Sequence, residues 1–157
     1  MARKLNPEGL LDQKNYLFKG YASYEDRLFE EFAKTCQKNK LPVKISEEEY
    51  KSGGLFKSRD ALLTIDGGFK PFAVLGAITY GDFLSVNLYF LVEDSLLNKF
   101  ASMSLGFGSV QGLARLNKDM ISIRNQEAFW NTVVACLEES FNSLKFKEFN
   151  GGFLGIK

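Results

Sequence analysis

The residues with the most chemistry to offer in this sequence lie between Lys51 and Asp60, where Lys51, Lys57 and Arg59 are interleaved with Gly53, Gly54 and Phe56. Cations beside glycines suit a phosphate, because side chains and closely approached backbone amides can both donate to its oxygens, and a ring among them can stack a base. Glu47, Glu48, Glu49 and Asp60 flank the stretch, so no basic stripe dominates the surface and nucleic acid is a disfavoured partner. A second glycine-rich stretch, Gly106-Phe107-Gly108-Ser109-Val110-Gln111-Gly112, offers free amides for an anion. Gln111 nevertheless stands where a dinucleotide fingerprint needs its third glycine, and no Gly-Lys-Ser/Thr ending follows. It reads as a loop.

Acid catalysis needs two carboxyl groups projected into one cleft, and Asp60, Asp66, Asp82, Glu93 and Asp94 fall at the ends of predicted strands. Three of them already have work in turns: Asp66 precedes Gly67, Asp82 follows Gly81, and Asp94 precedes Ser95. The chain has no histidine, which excludes Ser-His and Cys-His nucleophiles and histidine-bearing zinc sites. A metal would have to be held by carboxylates, no calcium-loop pattern is present, and no cofactor is expected. The two cysteines, Cys36 and Cys136, fall on the apolar sides of predicted helices, where thiols act as small buried hydrophobes. That pattern suits a reducing, cytoplasmic setting.

The elements that position these residues follow from periodicity. Ser23 is placed to cap a helix over 24–39, on which Tyr24, Leu28, Phe29, Phe32 and Cys36 recur at helical spacing until Pro42 intervenes. Val43–Ile45 predicts a short strand before Glu47-Glu48-Glu49, which reads as a solvated face. Strands are expected at Ala61–Ile65, Phe72–Tyr80 and Phe83–Val92, joined by turns at Asp66-Gly67-Gly68 and Gly81-Asp82. The run Phe72–Val92 is long enough to imitate a membrane span, but Gly81-Asp82 at its centre makes it a hairpin. Alternation puts Leu84, Val86, Leu88, Phe90 and Val92 on a core face, and Phe83, Ser85, Asn87, Tyr89 and Leu91 on a partly covered face that could meet a second copy. Beyond these, Ser95 caps a short helix, Met120–Ile123 suggests a strand, and Asn125 caps a helix over 125–144 whose stripe holds Phe129, Trp130, Val133, Leu137 and Phe141.

Residues 1–20 read as an irregular arm, and residues 149–157 as a glycine-rich apolar tail carrying Phe153. The whole is one domain of 157 residues, long enough to bury its own core. With 20 basic and 19 acidic residues the formal charge is +1, which gives no field to gather nucleic acid or anionic lipid. The element order predicts an α+β fold, an antiparallel meander with its two main helices packed on one face. Function is expected from docking surfaces: a non-enzymatic, cytoplasmic protein-binding or regulatory module, with self or another protein as partner. Candidate contacts are Lys51, Phe56, Lys57, Arg59, Tyr89, Phe107 and Phe153. The alternative is a small enzyme or nucleotide- or phosphate-ligand-binding protein using loop 51–60, and the third reading is weak nucleic-acid binding.

Overall fold

A computed structural model describes residues 3–4, 7–51, 59–93 and 119–149, with side chains for 8–49, 62–93 and 119–149. The elements run β1 (Arg3–Lys4), a single 3-10 turn, β2 (Leu10–Lys19), α1 (Glu25–Lys38), β3 (Lys44–Lys51), β4 (Arg59–Asp66), β5 (Phe72–Tyr80), β6 (Phe83–Leu91) and α2 (Met120–Ser143). They form one six-stranded sheet in the order β1-β3-β4-β5-β6-β2. The five strands from β3 to β2 pair antiparallel, and the two-residue β1 adds in parallel beside β3. The fold is α+β, as its periodicities predict.

The tight hairpin is the clearest case of local chemistry setting register. Tyr80 pairs with Phe83, and Gly81 between them takes φ +61°, which a glycine at the first central turn position reaches without a Cβ clash. At the preceding turn, Asp66 accepts from the Gly68 amide at 2.8 Å, so this carboxylate is spent on holding the backbone.

Both helices share one core with one face of the sheet. Leu63, Ile65, Ala73, Leu75, Leu84, Val86, Leu88 and Phe90 from the strands join Leu28, Phe32, Trp130, Val133 and Leu137 from the helices. Phe90 and Trp130 lie parallel at 4.9 Å, and Phe141 packs on Phe18 at 4.6 Å. Cys36 and Cys136 are buried and unbridged at the α1–α2 contact, where the Asn39 side-chain amide donates to the Cys136 sulfur at 3.9 Å. Below them Ser140, fully buried, donates to the Cys136 carbonyl at 2.8 Å and lies 3.2 Å from the Thr35 hydroxyl.

Both helices end in the same way. Leu41 N–H donates to Cys36 O and Lys40 N–H to Gln37 O, while Phe146 N–H donates to Phe141 O and Lys145 N–H to Asn142 O. These paired bonds are Schellman motifs, with Lys40 (φ 56°) and Lys145 (φ 61°) in the left-handed position usually given to glycine.

Four expectations need correction. Residues 10–19, expected within an irregular arm, form a ten-residue edge strand; its polar run Asp12-Gln13-Lys14-Asn15, exposed from Gln13 to Asn15, hides the alternation. Ser23 does not cap α1, because at φ 68° it precedes the Tyr24 cap position and spends its amide on Thr79 Oγ1 at 2.7 Å. Met120–Ile123 is not a strand: Asp119 accepts from the Ser122 amide at 2.8 Å and so caps α2 six residues before Asn125 would. Glu47, Glu48 and Glu49 lie within β3, which is longer than the predicted Val43–Ile45.

Candidate functional site

Among the described residues one face of the sheet carries no helix, and this helix-free face divides into two parts. Toward the ends of β5 and β6 farthest from their turn, Phe72, Val74 and Leu91 form a small buried cluster with Leu10, Leu62 and Tyr89 packed against it. Val74 is wholly buried on this face, opposite the one on which the two described helices lie. Burial raises the Tyr89 phenol above its ordinary pKa. Between the two parts runs a polar row, in which Asn87 donates to Asn15 at 2.6 Å.

Toward the β5–β6 turn the face is different in kind. Ile78 is 58% exposed, Tyr80 84% and Leu17 37%. Register explains how they meet: Ile78 pairs with Ser85, which pairs with Leu17, so both apolar side chains stand on one face in one row across three strands. Tyr80 pairs with Phe83 in the next row, and the half-buried Phe83 ring meets Phe149 edge-on at 5.5 Å. Leu17, Ile78, Tyr80, Phe83 and Phe149 therefore make a continuous apolar patch. Exposed single apolar residues are ordinary, but a contiguous group of them marks a contact surface.

Three hollows flank the β4–β5 turn. One, of about 180 Å3, lies on the helix-free face and is lined by Lys44, Ser46, Glu48, Asp66 and Lys70 among others. Another, of about 270 Å3, is apolar and lies between Pro42, Val43, Gly67, Phe69 and Phe129. Both fall below the roughly 300 Å3 at which small-molecule pockets begin. The third, of about 440 Å3 between Pro42, Lys44, Asp66 and Gly68, is a shallow depression open to solvent. Among the described residues no group of three or more cysteines and carboxylates is placed to hold a metal ion. Among them, too, no helix is long and apolar enough to cross a membrane.

Of the residues singled out from sequence, Lys51 and Arg59 are brought together: they pair directly at the open end of β3 and β4, and Lys4 of β1 stands beside Lys51 in the same row. Tyr89 lies elsewhere, on the helix-free face between Val74 and Gln13, half-buried rather than presented. Phe56, Lys57, Phe107 and Phe153 lie outside the described residues, as do the predicted helix after Ser95 and the loop 106–112. Sequence reasoning passed over Ile78 and Tyr80. The signal was present, since a two-residue turn puts Tyr80 on the same face as Phe83 and alternation then places Ile78 beside it.

No protein-family model matches this chain, no curated protein matches its sequence significantly, and no solved structure matches its fold significantly.

Proposed function

We propose that this chain is a non-enzymatic protein-binding module that docks through the turn end of its helix-free sheet face. The observation that carries the reading is the exposure of Leu17, Ile78 and Tyr80 around Phe83 and Ser85, on a face where the described helices do not lie. The occupant proposed is a second copy of the chain. A two-fold axis through this face lets the patch cover itself, closed two-fold dimers are the commonest assembly, and a formal charge of +1 leaves little repulsion between copies. A cytoplasmic setting is supported by the two thiols, which serve as small buried apolar groups within the core.

Sedimentation velocity over a concentration series tests this reading. The unaltered chain is expected to move from monomer to dimer as concentration rises, and Ile78→Lys with Tyr80→Lys to remain monomeric with unchanged circular dichroism. A chain that stays monomeric throughout, or a doubly substituted chain that dimerises as before, overturns it.

One observation favours a second reading, a phosphate-bearing ligand at the other end of the sheet: the register sets Lys4, Lys51 and Arg59 in one row across β1, β3 and β4. Like charges directly opposite one another on a sheet are destabilising, and an anion relieves them. Inorganic phosphate and a nucleotide should then raise the melting temperature of the unaltered chain and leave Lys51→Ala/Arg59→Ala unmoved; no rise in the unaltered chain removes this reading.

A further inference from the structure

Hydroxyls, thiols and one amide line the contact between the C-terminal half of α1 and α2. The Thr35 and Ser140 hydroxyls lie 3.2 Å apart, and one turn further along α1 the Asn39 amide donates to the Cys136 sulfur at 3.9 Å. Cys36 stands between Thr35 and Asn39 on α1, and Cys136 stands one turn before Ser140 on α2. The two contacts therefore bracket both thiols. After burial, the neighbouring Cys136 is the next cause that raises the Cys36 thiol, in keeping with two sulfurs set side by side.

The pair is buried but shallow. Asn39 is exposed, yet its side-chain amide lies over the Cys136 sulfur, held there by the Thr35 carbonyl at 2.9 Å and the Glu139 carboxylate at 3.2 Å. Asn39 also belongs to the turn that ends α1, in which the Cys36 carbonyl accepts from the Leu41 amide and Lys40 takes φ 56°. Helix ends open at a lower free energy than the core, and a non-glycine residue in the left-handed region lowers it further. Release of this one turn lifts the amide off the sulfur.

We propose that Cys36 and Cys136 form a redox-closed staple between α1 and α2, gated by the Asn39 side chain. The oxidant is a small disulfide such as oxidised glutathione. When the last turn of α1 opens, Cys136 loses its proton to water and its thiolate attacks one glutathione sulfur, so that the glutathione disulfide breaks and one glutathione leaves as thiolate. The Cys36 thiolate then attacks the Cys136 sulfur of the mixed disulfide and expels the second glutathione. The two protons released by the cysteines are taken up by the two glutathione thiolates, so two electrons and two protons pass from the protein to the oxidant. The bridge closes a loop of about 100 residues and ties together the two helices that share the core with the sheet. In a reducing setting the open dithiol is the resting form. This inference does not rest on the docking patch.

The test holds the unsubstituted chain dilute in oxidised glutathione under native conditions. The chain has two cysteines, so a monomer that loses two hydrogens in mass, and regains them with a phosphine reductant, carries the Cys36–Cys136 bridge. Asn39→Ala should close at least about tenfold faster. Lys38→Ala, which removes the neighbouring ion pair with Glu139 and leaves Asn39 in place, should close at the rate of the unsubstituted chain. Rates should stay level as urea is raised below the unfolding transition, because opening one turn exposes little surface. The bridged chain should melt about 10 °C above the reduced one. No bridge, a bridge between two chains, or closure that accelerates with urea along the slope of global unfolding overturns the proposal. So do equal rates in Asn39→Ala and the unsubstituted chain, equal acceleration in Lys38→Ala, or a bridged chain that melts no higher than the reduced one.

Discussion

The buried thiol pair makes folding stability depend on alkaline pH. Burial, the neighbouring Cys136 and donation of its own proton to that sulfur push the Cys36 thiol from 9.0 up to about 12. Cys136 is raised as well, chiefly by burial, although the protons donated by Cys36 and by Asn39, the latter at 3.9 Å, act in the opposite direction. The unfolded chain therefore releases these protons near pH 9 while the folded chain retains them. Stability is complete below that value and declines as pH rises toward 12, by at most about 1.4 kcal/mol per pH unit for each thiol. Carried over the whole interval, Cys36 alone accounts for a loss of up to about 4 kcal/mol. Tyr16 adds to the decline at higher pH, because burial and donation to Glu138 at 2.7 Å raise its phenol above the ordinary 10.0. Urea unfolding followed by circular dichroism, with a phosphine reductant present, measures the slope between about pH 9 and about pH 10. Cys36→Ala should cost about 1 kcal/mol at neutral pH and then decline less steeply than the unaltered chain, by up to about 1.4 kcal/mol per pH unit. Parallel declines in the two proteins would refute the assignment of this pH dependence to the thiol pair.

Three further outcomes rest on other parts of the fold. Lys40→Gly and Lys145→Gly should each stabilise by about 0.5–1 kcal/mol in urea unfolding, since both lysines occupy left-handed positions at helix ends. Gly67→Ala should destabilise by about 1–3 kcal/mol in the same assay, because a Cβ there would stand 2.6 Å from the Phe129 ring, itself packed between Phe69 and Phe90. Asp12→Ala should cost about 1.5–3 kcal/mol and alter tryptophan fluorescence, as its carboxylate accepts from the Trp130 indole at 3.1 Å and from the Gln13 amide.

Much of the architecture was legible because its period was intact. On β6 four alternate positions are apolar, and Gly81-Asp82 marks the turn, so both the hairpin and its core face could be read from residue order. β2 was not legible for a physical reason. A shift between Leu10 and Asp12 breaks the period, and an edge strand tolerates polar residues on both faces where neither is pressed against the core. The start of α2 was obscured by competing signals: Ile121 and Ile123 favour strand, but the Asp119 side chain captures the Ser122 amide and recruits them into the first helical turn. Lys51 and Arg59 were singled out for their types, and only the hairpin register shows that they are direct partners.

The same distinction separates the two aromatic residues on the helix-free face. Tyr89 was singled out by alternation on β6, yet it is half-buried against Phe72, Val74 and Leu91, so its surface is already committed within the chain. Tyr80, at 84% exposure, has its surface still to bury. Tyr89→Ala should therefore lower stability by about 1–3 kcal/mol while leaving self-association unchanged, and Tyr80→Ala should weaken self-association with less than about 0.5 kcal/mol lost from folding. Urea unfolding and sedimentation on the same two variants separate these effects. If Tyr89→Ala abolishes association at unchanged stability, the docking surface lies at the far end of the sheet from the patch at the hairpin turn, because an aromatic ring contributes to folding or to association according to where its area is buried.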